Sequence, residues 1–285
     1  MKNKKENIPE NIPRIYDEVL VKSYRYGDTL EITTSVGRQT IQVLPNKRYV
    51  VLDTGEIKDM DDSAKSRVDN LKSVKMTMKK LRRIIAHNFH GNQNELWITL
   101  TYNYHLTDTE KAYNHFKIFI RRIRKKYGKL EYISVIEPQA SGRWHFHVLL
   151  KNNGKRKSLT IPNKIVESLW GQGFTKTKRL KNSDKVGNYV VAYLSNLKIP
   201  EKHQTEDKKY IKGARLHFYP KGLRIYRTSR NIIKPEETTD TKVNILNNNN
   251  ISLTTKSNYS KSTKHLTSSG DEITYITEFY NNLKD

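Results

Sequence analysis

The sequence predicts an α+β fold in which helices cover one face of a central antiparallel sheet. Residues 143–150, R-W-H-F-H-V-L-L, alternate strictly between two faces, which is the period of a β-strand. A second run, L-W-I-T-L-T-Y at residues 96–102, is rich in β-branched and aromatic residues and predicts a buried strand. Between these runs, apolar residues recur every three or four positions from Ala112 to Tyr127, as in an amphipathic helix.

Two basic helices belong to the same domain. Residues 62–89 carry apolar residues at helical spacing with lysine and arginine between them, which predicts a basic amphipathic helix. Thr107 and Glu110 have capping-box spacing, so they predict the start of the next helix. Cations gather near the end of that helix, before Gly128 stops it.

The chain order of the elements defines the architecture. Residues 130–137 predict a strand, which the turn at residues 138–142 joins to the histidine-containing strand. The order strand, helix, strand, turn, strand is typical of a ferredoxin-like sheet with helices on one face. Three further elements are predicted: helices at residues 161–170 and from about residue 183, and a strand at residues 215–219.

Three segments are predicted along the chain. Residues 1–60 are predicted to form an N-terminal β-rich extension, because short alternating runs separated by turn residues follow a polar, disordered lead at residues 1–12. Residues 61–232 form the main domain, with its core at about residues 95–200. Residues 233–285 are dominated by Thr, Asn, Ser and Lys, which predicts a low-complexity, mostly disordered tail. Residues 272–284 regain apolar content and predict a short terminal helix.

Charge and composition limit the possible functions. Lys and Arg number 53 against 29 acidic residues, a formal charge of +24, which predicts a polyanionic partner. The chain has no cysteine, which excludes disulfides, thiolate zinc sites and cysteine nucleophiles. No apolar run approaches the roughly 20 residues of a membrane span, and no apolar signal segment follows Met1. A cytoplasmic protein without a membrane partner is therefore expected.

The histidine strand predicts a metal site. His145 and His147 lie on one face of the strand, about 6.6 Å apart along it. Glu137 ends the preceding strand, so a tight antiparallel connection brings its carboxylate close to both imidazoles. Two histidines and one carboxylate suit Mn²⁺ or Mg²⁺ and would also hold Zn²⁺.

A nucleophile is predicted on a later helix. Tyr189 and Tyr193 are one turn apart on a helix predicted to start at residue 183 or 184 and to run to Lys198. A divalent cation and nearby lysines, Lys185 or Lys198, would favour the phenolate of either tyrosine. The chain has 17 tyrosines, so a pair at this spacing could also belong to the core.

These residues carry a resemblance to a known family. The run W-I-T-L-T-Y at 97–102, then Glu137 with Gly142 and H-F-H, then the segment of Tyr189 and Tyr193, resemble the three motifs of the HUH endonucleases. The sequence is most similar to the rolling-circle replication initiators of small phages, plasmids and integrative elements. Residues 213–230 also resemble a segment that follows the tyrosine helix in those proteins, so the likeness covers about residues 62–232.

The resemblance implies a mechanism for nicking single-stranded origin DNA. A metal ion at Glu137, His145 and His147 would hold the scissile phosphate, and a tyrosine would attack it to leave a 5′-phosphotyrosine link and a free 3′-hydroxyl. The second tyrosine would rejoin the displaced strand at termination. Many family members have a lysine three residues after a motif tyrosine, whereas this chain has Ala192 and Asn196 there. Lys198 and Lys185 are the candidates for that role, and either tyrosine could attack first.

The implied partners are origin DNA and the replication proteins of a host cell. The cations predicted to contact the DNA are Lys79, Arg82, Arg83, Arg121, Arg122 and Arg143. The chain has no Gly-x4-Gly-Lys-Ser/Thr phosphate loop, so a host helicase and polymerase are expected to act with it.

Two other interpretations use the same residues differently. One is a relaxase or transposase with the same chemistry, although relaxases usually have three histidines in the metal set. The other is a non-catalytic protein that binds single-stranded nucleic acid and uses the two histidines as stacking platforms. Against the second, a carboxylate such as Glu137 repels phosphates unless a cation lies between them.

Overall fold

The computed structural model describes residues 14–37, 40–61, 63, 65–152, 158–180, 196–198, 210–212, 215–266, 272–281 and 283. The chain forms two compact units, residues 1–60 with 235–285 and residues 61–234. None of the described helices combines the length and the apolar character needed to cross a bilayer.

The elements follow in chain order. The strands are β1 (Leu20–Tyr26), β2 (Thr29–Thr33), β3 (Ile41–Leu44), β4 (Arg48–Val51), β5 (Ile57–Asp59), β6 (Glu95–Thr101), β7 (Leu130–Pro138), β8 (Trp144–Asn152), β9 (Thr175–Arg179), β10 (Asn196–Lys198), β11 (Tyr210–Lys212), β12 (Tyr226–Thr228), β13 (Glu236–Thr241), β14 (Tyr259–Leu266) and β15 (Glu272–Tyr280). The α-helices are α1 (Leu71–Asn88), α2 (Thr109–Tyr127), α3 (Asn163–Trp170) and α4 (Lys242–Asn248). Short 3-10 helices span Arg67–Asn70 and Leu216–Phe218.

The unit of residues 61–234 is built on a five-stranded antiparallel sheet in the order β12-β7-β8-β6-β9. The β7–β8 hairpin lies at its centre, and β6 pairs with β8 on the other side. The predicted α+β class with a central antiparallel sheet is therefore confirmed.

The two faces of this sheet carry different residues. On one face Phe146 stacks on Phe116 of α2 with ring centroids 4.9 Å apart, and it meets Trp170 of α3 edge-on at 6.3 Å. The opposite face carries the two histidines of β8 and, farther along, Lys151, whose Nζ donates to the Asn88 carbonyl at 2.8 Å. Helices α2 and α3 therefore pack on the aromatic face, and the end of α1 meets the histidine face.

Helix α2 starts one residue later than its capping-box pattern predicts. Asp108, and not Thr107, is the N-cap, because its carboxylate accepts hydrogen bonds from the backbone N–H groups of Glu110 and Lys111 at 2.9 and 3.0 Å. Such a cap contributes about 1 kcal/mol. Gly128 ends the helix, as predicted, with its N–H bonded to the Arg124 carbonyl.

Three other predicted elements differ in the structure. The helix predicted over residues 62–89 becomes α-helical only at Leu71, after a 3-10 turn. The strand predicted at residues 215–219 is instead a 3-10 turn, which lets the Tyr219 hydroxyl reach the Ile136 carbonyl at 2.9 Å. The helix predicted to reach Lys198 does not extend that far, because residues 196–198 form β10 and pair with β11. Residues 183–195 lie outside the described part of the chain.

The unit of residues 1–60 and 235–285 contains a five-stranded sheet in the order β13-β1-β2-β15-β14 and a three-stranded sheet β3-β4-β5. Five strands, β1 to β5, lie between Leu20 and Asp59, within the segment predicted to be a β-rich extension. The prediction of a mostly disordered tail is wrong for residues 236–266 and 272–280, and the helix predicted at 272–284 is a strand over 272–280. Strand β13 pairs with β1 and β15 with β2, so the polar tail gains backbone partners from the N-terminal segment.

A buried charge pair helps to join these two chain segments. Lys242, 1% exposed, places its Nζ 3.0 Å from the Glu278 carboxylate and donates to the Ile15 carbonyl at 2.7 Å. Glu278 also accepts from the Ile15 N–H at 2.8 Å and from the Tyr280 hydroxyl at 2.9 Å. The N-terminal segment and two separate parts of the tail therefore meet at one buried, fully hydrogen-bonded carboxylate.

Candidate metal centre

The register of the β7–β8 hairpin brings three metal-binding side chains together. Glu137 of β7 lies directly opposite His145 of β8, and Val135 lies opposite His147. Residues paired in this way point to the same face of an antiparallel sheet, and so do His145 and His147, two positions apart. The glutamate and both imidazoles therefore share one face at one end of the hairpin, as the sequence predicts.

The distances within this cluster are short. Oε2 of Glu137 lies 2.8 Å from Nε2 of His145 and 2.9 Å from Nε2 of His147. One ligand atom from each residue lies within 4.8 Å of the others. The three side chains are nearly buried, with exposed fractions of 2%, 11% and 8% in chain order. The cluster is thus compact enough to bind one metal ion.

The surroundings set the protonation of the cluster. Burial by itself raises the pKa of the Glu137 carboxyl, but the hydrogen bonds from His145 and His147 outweigh burial and bring that pKa to about 2. Burial is the largest influence on His147 and lowers the pKa of its imidazole below the ordinary value of 6.5. At neutral pH the cluster presents an ionised carboxylate beside a neutral His147, and these are the forms that bind a metal ion.

The turn between the two strands holds the hairpin in this register. The Gln139 N–H donates to the Arg143 carbonyl at 2.8 Å, and the Gly142 N–H donates to the Gln139 carbonyl at 2.9 Å. Gly142 has φ +82°, and a Cβ there would lie 2.9 Å from the ring of Phe218. Glycine is therefore required at this point of the turn.

Two supporting residues were not predicted as part of the site. Nη1 of Arg215 donates to Oε1 of Glu137 at 2.9 Å and to the Pro138 carbonyl at 3.0 Å, so it leaves Oε2 for the histidines. On β6, Oγ1 of Thr99 lies 3.4 Å from Nδ1 of His147. When Nε2 binds a metal ion, Nδ1–H can donate to this hydroxyl and fix the ring orientation. Arg215 lies within residues 213–230, which resemble the segment that follows the tyrosine helix in replication initiators. That resemblance is the feature of the sequence that could have identified Arg215 as part of the site.

Replacing Arg215 with alanine is expected to weaken Mn²⁺ binding about tenfold, because outer partners that orient a ligand usually contribute that much. Titration calorimetry of the purified protein with Mn²⁺ would measure the change. Arg230→Ala is the matched control, because Arg230 is exposed and lies beyond the other end of β7. The charge of Arg215 by itself repels a cation, so tighter binding in Arg215→Ala would mean that repulsion outweighs its hold on Glu137.

The predicted nucleophiles lie outside the described residues. Tyr189, Tyr193 and Lys185 belong to the stretch between the described residues 180 and 196. Lys198 lies in β10, and its side chain is also outside the description. Their catalytic roles therefore stay predictions from the sequence.

The structure places the six predicted DNA-contacting cations on different parts of the sheet layer. Arg143 lies in the turn beside the metal cluster, where its Nε donates to the Gln139 side chain at 2.7 Å. Arg121 and Arg122 are exposed on α2, on the opposite face of the sheet from the histidines. The other three lie on α1: Lys79 and Arg82 are partly buried and Arg83 is buried. Arg143 is therefore the member of this set that belongs to the hairpin of the metal cluster.

Comparisons with known proteins point to DNA replication. Residues 95–198, which include the whole metal cluster, match a family of replication-associated proteins described by the name ORF2. The chain is also 30% identical over 128 residues to the phasyl DNA replicon protein arp of Escherichia coli. That alignment covers 37% of this chain and 45% of the relative, so the chain spans less than half of the relative's length. No solved structure matches the chain.

Proposed function

We propose that this protein is a rolling-circle replication initiator that nicks and rejoins single-stranded DNA in a metal-dependent reaction. The observation that carries the proposal is the buried cluster of Glu137, His145 and His147, inside the segment that is similar to replication-associated proteins. The surplus of basic residues gives a net charge of +24, which suits a DNA substrate. We place the protein with its DNA in the cytoplasm of a cell that carries a phage, plasmid or integrative element.

The chemistry follows from the donor set. A divalent cation, Mn²⁺ or Mg²⁺, held by these three side chains would supply Lewis-acid polarisation of a phosphoryl oxygen. Arg215 and Thr99 would keep the carboxylate and His147 in orientation while the phosphate binds. The low pKa of Glu137, about 2, keeps the carboxylate ionised throughout the neutral range.

The proposed nucleophile is Tyr189 or Tyr193, with Lys198 or Lys185 favouring the phenolate. The phenolate oxygen forms a bond to phosphorus while the bond from phosphorus to the 3′ oxygen breaks. The 5′ end then stays on the tyrosine, and the released 3′ oxygen takes up a proton to become the hydroxyl that primes synthesis. When the origin has been copied, the other tyrosine attacks the new junction in the same way and releases a 3′-hydroxyl there. That 3′-hydroxyl attacks the first phosphotyrosine, which joins the ends of the displaced strand and returns the first tyrosine as a phenol. A host helicase and polymerase would unwind and copy the template.

Two observations disfavour a non-catalytic nucleic-acid-binding protein. The side chains of His145 and His147 are only 11% and 8% exposed, so their imidazoles offer little surface on which a base could stack. An ionised Glu137 between them repels phosphates unless a cation intervenes. A relaxase remains an alternative with the same chemistry, but among the described residues the metal-binding group contains two histidines and not three.

The test is the formation of a covalent protein–DNA adduct. The protein would be incubated with Mn²⁺ and single-stranded oligonucleotides that tile the DNA of its own genetic element, and the products separated under denaturing conditions. We expect one oligonucleotide to give an adduct that EDTA prevents. The adduct should fall in Tyr189→Phe or Tyr193→Phe and disappear in the double variant, whereas Tyr127→Phe, at the end of α2, should not change it.

Two outcomes would count against different parts of the proposal. If no oligonucleotide from either strand gives an adduct with the wild-type protein, the nicking function is wrong. If the double tyrosine variant still forms the adduct, the metal-dependent reaction stands but the nucleophile is another residue.

A further inference from the structure

Strand β9 extends the face of the sheet that carries the metal cluster. It is an edge strand and pairs with β6, which in turn pairs with β8. In this register Thr99 lies opposite both His147 and Lys176, so these three residues form one row across the sheet. Two strand spacings of about 4.8 Å separate the backbone of Lys176 from that of His147, or roughly 10 Å.

Phe174, directly before β9, continues the same alternation one row closer to the end of the sheet. Its carbonyl accepts a hydrogen bond from the Thr101 N–H at 2.9 Å, and Thr101 lies opposite His145. The register therefore places Phe174 on the same face as the histidines, in the row of His145.

This side of β9 carries exposed side chains. The side chain of Phe174 is 67% exposed, and Lys176 and Lys178 are exposed as well. The alternate residues Thr175 and Thr177 are partly buried, because their hydroxyls bond to Oδ1 of Asn163 at 3.0 and 3.2 Å. Helix α3, which begins at Asn163, therefore packs on one side of β9, and the exposed side chains are on the histidine side.

Lys178, two residues after Lys176, links β9 to the metal cluster through packed side chains. Nζ of Lys178 lies 4.6 Å from the ring centroid of Trp97. The Trp97 ring meets the His147 ring edge-on at 5.7 Å. Trp97 is buried, so Lys178 lies over a fixed indole beside the metal ligands.

The residue before Phe174 fixes where the phenyl ring leaves the sheet. Gly173 has φ +146°, and a Cβ on it would lie 2.4 Å from the Asn103 N and 2.6 Å from the Thr101 carbonyl oxygen. Because these are backbone atoms, only glycine can occupy this position. The backbone directly before the exposed aromatic ring is thus packed closely against the backbone of residues 101–103.

We propose that Phe174, Lys176 and Lys178 form a track for the single-stranded DNA next to the nick. The phenyl ring stacks on one base, and the two ammonium groups contact phosphates of the same strand. The track lies about 10 Å from the histidines across the sheet. A nucleotide bound to it is therefore one or two nucleotides along the strand from the scissile phosphate. The inference rests on the proposed function, because it takes single-stranded DNA as the substrate.

The test measures DNA binding separately from cleavage. Fluorescence anisotropy with a labelled single-stranded oligonucleotide would be recorded in EDTA, for variants whose melting temperature matches that of the wild type. We expect Phe174→Ala to weaken binding about tenfold, as for the loss of one stacked base. Phe174→Trp should preserve binding, and Phe174→Leu, which keeps an apolar side chain without a π face, should resemble Phe174→Ala.

The contribution of the lysines is measured by the salt dependence of DNA binding. Lys176→Ala should lower the slope of log affinity against log salt concentration by about one, as expected for the loss of one phosphate contact. Lys164→Ala is the matched control, because Lys164 is exposed on α3, on the other side of β9. If Phe174→Ala binds within twofold of the wild type, or Phe174→Leu binds as well as Phe174→Trp, the stacking track is wrong.

The same variants distinguish this inference from the function on which it rests. Loss of binding in Phe174→Ala without any adduct from the wild-type protein would support the track and overturn the nicking reaction. A normal adduct together with unchanged binding in Phe174→Ala would leave the function standing and overturn the track.

Discussion

Replacing His147 with alanine is expected to weaken Mn²⁺ binding by more than about 100-fold, beyond the usual effect of an outer partner, and to abolish the DNA adduct. Among the described residues, His147 supplies one of the three donor atoms of the cluster, and its Nε2 lies 2.9 Å from Oε2 of Glu137. Its imidazole, with a pKa below 6.5, is neutral at pH 7 and so available to a cation. Calorimetric titration with Mn²⁺ and the denaturing adduct assay would measure the two effects.

A matched histidine separates metal binding from general damage. His115 is partly buried on α2, where its Nδ1 lies 3.3 Å from the Tyr102 hydroxyl, on the face of the sheet opposite the cluster. His115→Ala should therefore leave Mn²⁺ binding unchanged. If His147→Ala binds Mn²⁺ as tightly as the wild type does, the cluster is not a metal centre, whatever its effect on the adduct.

The metal cluster could be predicted from the sequence because it is local. Its three side chains belong to one hairpin, so strand alternation and a tight turn are enough to bring them together. Arg215 and Thr99 reach the same cluster from 78 residues away in sequence and from a neighbouring strand. Their contacts depend on sheet order and on a 3-10 turn, which local periodicity does not encode.

The fold shows the same difference between local features, which the sequence predicts, and long-range contacts, which it does not. The helix α2 and the strands β6, β7 and β8 follow from periodicities contained within each segment. The tail was predicted to be disordered because its composition is polar and β13, E-E-T-T-D-T, has no apolar residue. Its order instead comes from pairing with strands more than 200 residues away, and from a few buried apolar residues such as Ile245 and Leu246. The composition of a segment indicates whether that segment can form a hydrophobic core by itself. It does not indicate which distant strands of the same chain can pair with the segment.

Replacing Lys242 with alanine is expected to lower the free energy of unfolding of the unit of residues 1–60 and 235–285 by about 3–5 kcal/mol, the cost of removing one partner of a buried ion pair. The substitution leaves the Glu278 carboxylate buried without its cation, and it removes the hydrogen bond to the Ile15 carbonyl. Urea denaturation, followed by hydrogen exchange of the β1, β2 and β15 amides, would measure the loss in this unit.

Lys264 provides the matched control on the same sheet. It pairs with Glu272 at 2.6 Å, but the two side chains are 68% and 49% exposed, so Lys264→Ala should cost only about 0.2–1 kcal/mol. Adding Glu278→Gln to Lys242→Ala should recover part of the stability, because an amide is less costly to bury than an unpaired carboxylate and can still accept from the Ile15 N–H. Equal, small losses in Lys242→Ala and Lys264→Ala would mean that Lys242 is not buried between the N-terminal segment and the tail.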